Sequence, residues 1–201
     1  SDGNLGLPMA STVLDAIPGE RRLTMKDWKS PLRGSHPHLL AWTWSVLLLL
    51  QMGLAFFVFN EPGLLGFKVA GWVIWVLGTV FALVPILTLR TRGRVPEGKS
   101  YMETTALVDT GIYAIVRHPQ GGTAGILLNL ALPLIGQHWL LMVLAAVGIV
   151  LIYIDTFRAD KACIEKFGEE YVRYMQRVPR VNFMAGLLRL LAHRRTERTD
   201  V

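Results

Sequence analysis

A chain of 201 residues that is 52% hydrophobic and only 18% charged is too apolar for a disordered segment or a polar nucleic-acid-binding domain. Its one cysteine, Cys163, excludes a disulfide framework and any multi-cysteine zinc or iron–sulfur site. The formal net charge of +6 could suit nucleic acid, but its distribution along the chain argues for a membrane surface instead.

Residues 1–38 are punctuated by Pro and Gly and read as a cytosolic or interfacial tail. They lack the apolar core of a secretory signal, so the first helix is expected to act as the insertion signal. His36-Pro37-His38 superficially resembles a metal pair, but no further ligands fall at a suitable spacing, so no metal is expected. From Leu39 to Phe59 no charged residue interrupts the run. That is the length of a bilayer span, about 20 residues, with Trp42 and Trp44 placed as interface anchors. Asn60-Glu61-Pro62-Gly63 reads as a tight turn.

A second apolar block runs from Leu64 to Leu89 and contains one charge, Lys68, close enough to the end to snorkel. Pro85 is expected to kink this helix or end it early. A third block, Thr123 to Gly136, is short for a span. The fourth, Trp139 to Tyr153, is expected to continue as a helix past Asp155. The fold expected is therefore all-α and polytopic, with about four transmembrane helices in two hairpins and a cytosolic cap. Its divisions are a tail over 1–38, a membrane domain over 39–183 and a basic C-terminal tail over 184–201.

Lys and Arg give the orientation. Five fall in residues 1–38, five in 90–122 and ten in 158–201, while the turns at 60–63 and 137–138 hold none. The positive-inside rule then places both termini and the 90–122 loop in the cytoplasm. The basic excess becomes a topology signal and a contact for anionic phospholipid, and no nucleic-acid partner is expected.

All substantial polar sequence thus lies on one side of the membrane. In the loop, Gly111 permits a turn with positive φ. Tyr113 offers an aromatic face and a hydroxyl, and Arg117 a planar cationic fork for a carboxylate or phosphate. His118 can donate, accept or titrate near neutral pH, and Pro119 fixes the entry to the third helix. On a wheel of about 100° per residue, Thr156, Phe157, Asp160, Cys163, Ile164 and Phe167 share one arc. Asp160 therefore sits in the middle of an apolar face and needs a cationic or donor partner, with Arg117 the obvious choice. Asp155 faces outward with Arg158 in reach. Tyr171 and Tyr174 follow Gly168 on a short helix that Val178-Pro179-Arg180 closes, and either pack on the bundle or cover a ligand.

Taken in order, Leu107-Val108-x-Thr110-Gly111-Ile112-Tyr113-x-x-Val116-Arg117-His118-Pro119 and the later Phe167-Gly168-Glu169-Glu170-Tyr171…Tyr174…Val178-Pro179 resemble the isoprenylcysteine carboxyl methyltransferase family and its phospholipid N-methyltransferase relatives. The resemblance covers roughly 64–183. It implies an integral membrane methyltransferase that uses S-adenosylmethionine and takes a lipophilic substrate from the bilayer. It also implies a cofactor site formed by Val108, Tyr113, Arg117, His118 and Pro119, with Gly111, Gln120, Asp160 and Tyr171 as further candidates. For catalysis, His118 or Asp160 could act as base toward an amine or thiol. Arg117 or Arg173 could position a carboxylate acceptor. Two positions depart from the family pattern. Gln120-Gly121-Gly122 lacks the usual aromatic, and Ala159-Asp160 stands where a Glu pair is common. Two other classes stay open: a non-enzymatic membrane scaffold on the same fold, and a sterol-reductase-like enzyme using NADPH.

Overall fold

The computed structural model describes residues 39–59 and 62–199, with side chains through Ala192. The sequence readings on residues 1–38, including the His36-Pro37-His38 pair, lie outside the described residues. From Leu40 onward the chain forms one compact unit. Among the described residues all regular structure is helical.

Helix α1, Leu39–Gly53, runs on into a π-helical turn at Leu54–Val58. α2 spans Leu65–Arg92, α3 Gly125–Gly136 and α4 Trp139–Phe167. Two helices follow, α5 at Glu169–Arg177 and α6 at Phe183–Thr199. Among the described residues three helical stretches are long and apolar enough to cross a membrane: Leu39–Val58, Leu65–Arg92 and Trp139–Phe167.

The third apolar block behaves differently from the other three. It forms the 12-residue α3, only about 18 Å long, preceded by a π-helical turn at Pro119–Ala124. Flanked by α2 and α4, it buries Leu127, Asn129, Ala131, Leu132 and Ile135. Close approach requires small residues on its neighbours. A Cβ at Gly78 of α2 would meet Leu128 at 3.0 Å, and one at Gly148 of α4 would strike the Asn129 amide. Pro85 does not end α2, which continues to Arg92. Pro85 leaves the Phe81 carbonyl without its i+4 donor, a loss that a membrane helix packed among neighbours tolerates.

At one end Phe59 and Leu64 meet the turn at 137–138. Gln137 adopts a left-handed conformation (φ 46°), and its side-chain amide both accepts from the N–H and donates to the carbonyl of Leu64, each at 2.9 Å. His138 stacks on Phe59 with centroids 3.7 Å apart. At the opposite end Trp44 donates its indole N–H to Asp155 at 3.1 Å, tying the start of α1 to α4. Asp155 thus has a partner on α1. Between these ends, buried Gln51 donates to the Leu141 carbonyl at 3.0 Å, and Asn129 to that of Gly125 at 2.8 Å.

Candidate functional site

The polar end of the bundle is built by three segments that close on α4. After α2, Arg92 donates to Thr110 at 2.8 Å, which holds the returning loop against the helix it has just left. Gly111 takes the positive φ its sequence context suggested (65°) and opens a 3-10 turn over Gly111–Ala114. Ile112 and Val116 bury beside Phe81, and half-buried Tyr113 packs on the same cluster. The π-helical turn follows, with the His118 carbonyl accepting from Thr123 at 2.8 Å and Gly122 at 3.2 Å. π-Helical turns are frequent at functional sites.

The stretch after α5 is stitched to this turn. Backbone N–H groups of Arg117 and His118 donate to the Pro179 and Arg180 carbonyls at 3.0 and 3.1 Å. Thr123 donates its hydroxyl to the Val181 carbonyl at 3.0 Å. Residues more than fifty apart in sequence are thereby fixed side by side.

Asp160 lies at the focus and has no solvent exposure. Its Oδ1 accepts from His118 Nε2 at 2.7 Å, Tyr171 Oη at 2.7 Å and Arg117 Nη1 at 3.3 Å. Its Oδ2 accepts from Arg180 Nε at 2.9 Å. The Arg180 guanidinium also lies 3.7 Å over the Phe157 ring, a cation–π contact that orients the fork. A buried carboxylate with four donors satisfies the requirement that its position on an apolar face imposes.

The charges around it do not cancel. Two guanidinium groups face one carboxylate, so the cluster keeps a positive surplus even with His118 neutral. His118 and Arg180 retain slight exposure, 12% and 18% of their side chains. Buried Arg117 Nε has no hydrogen-bond acceptor among the described residues. With Nε2 donating to Asp160, a neutral His118 ring leaves Nδ1 unprotonated. Burial, and next the Asp160 charge, push the Tyr171 hydroxyl well above its usual range, so it stays a donor. Tyr174, raised mainly by burial, donates to the Tyr113 carbonyl at 2.7 Å. Tyr113 is raised for the same reason.

The candidate residues therefore divide. Arg117, His118, Asp160 and Tyr171 converge in direct contact. Pro119 and Val108 are buried in the surrounding framework, and Tyr113 and Gly111 form the adjoining turn. Gln120 bonds the Tyr101 hydroxyl at 3.0 Å. Arg173 is exposed on α5, away from its buried face of Tyr171 and Tyr174. Arg180 takes the fourth place around Asp160 and was not among the candidates. The signal was its position directly after Val178-Pro179, where an extended segment can turn back on the bundle.

Among the described residues no group of His, Cys, Asp and Glu is arranged to hold a metal. A family model described as phospholipid methyltransferase matches residues 67–168, half of the chain. The match runs from α2 to the end of α4 and includes Arg117, His118 and Asp160, but stops short of Tyr171 and Arg180. No curated protein and no solved structure matches the chain.

Proposed function

The chain belongs to the phospholipid methyltransferase family, and from that premise we propose that it transfers a methyl group from S-adenosylmethionine to a lipid or lipophilic acceptor at the membrane surface. Family membership implies methyltransferase activity in an integral membrane protein. The donor, the acceptor and a cytoplasmic placement of the polar end are part of the proposal.

One observation carries it. Arg117 and His118, from the loop after α2, meet Asp160 of α4 in a cluster with surplus positive charge and a buried guanidinium N–H lacking an acceptor. The cationic surplus fits a cofactor that carries a carboxylate. Arg117 and Arg180 would hold the carboxylate, and the aromatic face of Tyr113 suits a sulfonium. When bound, S-adenosylmethionine supplies an electrophilic methyl group.

The remaining chemistry belongs to this chain's residues. Asp160, saturated by its donors, sets the Arg117, His118 and Arg180 side chains in place and fixes the His118 tautomer. His118 Nδ1 can take the proton released by an amine or thiol acceptor. A carboxylate acceptor needs no base, only a cation to position it, and exposed Arg173 stands apart from the cluster. Lipophilic acceptors would come from the bilayer, with anionic phospholipid held by the basic segments.

Transfer of tritiated methyl from S-adenosylmethionine to extractable lipid, measured in nanodiscs, tests the proposal. Activity that falls in His118→Ala supports it. Absence of cofactor binding by calorimetry, together with no effect of His118→Ala, overturns it. The complete burial of Asp160 favours one competing reading, a purely structural clasp in a non-enzymatic scaffold. That reading predicts unchanged function in His118→Ala provided the fold survives.

A further inference from the structure

Residues 184–201 read as a basic tail by composition, yet the chain forms α6 from Phe183. One side of this helix is clamped to the site's framework. Phe183 packs on Phe81 with centroids 5.2 Å apart. Gly186 lies so close to the Ile115 carbonyl that no Cβ could be added there. Arg189 Nη2 donates to the Ala114 carbonyl at 2.7 Å.

The other side has no partner among the described residues. Met184, Leu187, Leu188 and Leu191 are all exposed, and they recur at the spacing of one helical face, within about 100° of arc. Such a stripe is costly in water. Its depth indicates what covers it. At a rise of about 1.5 Å per residue, Phe81 stands about 24 Å along α2 from Leu65. That places it inside a hydrocarbon layer of about 30 Å. Since Phe183 packs against Phe81, α6 begins at the level of the acyl chains. The same leaflet is faced by exposed Leu83 and Leu87 of α2. Beyond Ala192 the sequence turns basic, with Arg194, Arg195 and Arg198 against Glu197, the order expected of a segment emerging toward anionic headgroups.

We propose that α6 is an interfacial helix whose Met184–Leu187–Leu188–Leu191 face inserts among the lipid acyl chains. It thereby clamps the Gly111–Ala114 turn and the 178–182 segment against the membrane-facing bundle. The occupant of the stripe is the bilayer. This placement does not depend on the methyl-transfer proposal.

The test is site-directed nitroxide scanning of the full chain in nanodiscs of phosphatidylcholine and phosphatidylglycerol. Cys163→Ser removes the one native thiol, and single cysteines are placed by Met184→Cys, Leu187→Cys, Leu188→Cys and Leu191→Cys. Lys99→Cys, exposed in the polar loop beyond the end of α2, is the aqueous reference. At the four stripe positions, collision with oxygen should exceed collision with a water-soluble nickel chelate, and the order should reverse at Lys99. Nickel access at all five positions overturns the proposal. So does exclusion of both reagents from the stripe with spin–spin broadening between chains, which would make a second copy the occupant.

Discussion

Arg180 Nε lies 2.9 Å from Asp160 Oδ2 while its guanidinium carbon lies 3.7 Å from the centroid of the Phe157 ring. The hydrogen bond and the cation–π contact share one planar group, which a lysine cannot reproduce. Arg180→Lys keeps the charge and loses the plane. It is expected to lower thermal stability by about 1–2 kcal/mol, as for a desolvated cation–π contact. It should also weaken S-adenosylmethionine binding more than Arg173→Lys does. Equal effects of the two substitutions in calorimetry would count against Arg180 as a member of the site.

Asp160→Asn replaces the one anion between two buried arginines by a neutral amide of the same size. Removing one partner of a buried ion pair costs roughly 3–5 kcal/mol, because the other charge stays behind. The variant should therefore unfold at markedly lower temperature in detergent. Added S-adenosylmethionine should restore part of the loss, since its carboxylate offers the arginines a new partner. A variant as stable as the parent would show that Asp160 is not the anchor of the cluster.

Tyr171 gives the cluster an alkaline limit. Its usual pKa is 10.0, and burial followed by the Asp160 charge raises it in the folded chain. Below pH 10 the hydroxyl is protonated both folded and unfolded, so the shift contributes no pH dependence. Above about pH 10 the unfolded chain loses that proton while the folded chain keeps it, so stability falls as pH rises. Tyr113 and Tyr174 add in the same direction. Tyr171→Phe should lower stability at pH 8 by about 1–3 kcal/mol through the lost Asp160 bond. It should also flatten the decline above pH 10. Unfolding midpoints measured from pH 8 to 11 check both parts. A decline as steep as the parent's would mean that Tyr171 ionises freely when folded.

How far the sequence reveals this site depends on whether a residue is placed locally or by the tertiary fold. The burial of Asp160 follows from helix geometry alone, because the wheel sets it between Thr156, Cys163 and Ile164. The same geometry argues against Arg173, which points about 130° away from Tyr171 and Tyr174 taken together. Arg180 was harder to foresee, since it reaches Asp160 only after the chain reverses and pairs with Arg117 and His118. Charge composition hid the apolar stripe of α6, because the basic residues that follow it dominate any average over 184–201. The shortness of α3 was visible, but not that the π-helical turn at Pro119–Ala124 would make up part of the missing length.

Adjacent glycines at the start of that turn should respond oppositely to the same substitution. A Cβ at Gly121 would meet nothing within 4 Å, whereas one at Gly122 would come within 2.7 Å of Val181 and 3.0 Å of His118. Gly121→Ala should change stability by less than about 0.5 kcal/mol or raise it slightly, because Ala suits a helical turn better than Gly. Gly122→Ala must push the 178–182 segment off the turn and displace His118, at a cost of about 1–3 kcal/mol from overpacking. Methyl-transfer activity should fall in the second variant alone. Loss of activity in both would mean that the open space at Gly121 receives a ligand.

A hydrogen bond between side chains, from Trp44 to Asp155, ties the start of α1 to α4. Trp44→Phe keeps an aromatic ring and removes the donor. Hydrogen bonds to charged groups contribute about 1.5–3 kcal/mol. Asp155 is only half-buried, so water or headgroups can replace the indole, and a loss of about 1 kcal/mol is expected. Gln51 sits deeper, with no exposure, and its donor serves the Leu141 carbonyl on α4. Gln51→Ala removes that bond and leaves a cavity where neither water nor headgroup can compensate, so it should cost about 2–4 kcal/mol. Steric-trap unfolding in bicelles can rank the two. If Trp44→Phe proves the more damaging, α1 is held chiefly at its end and not along its length.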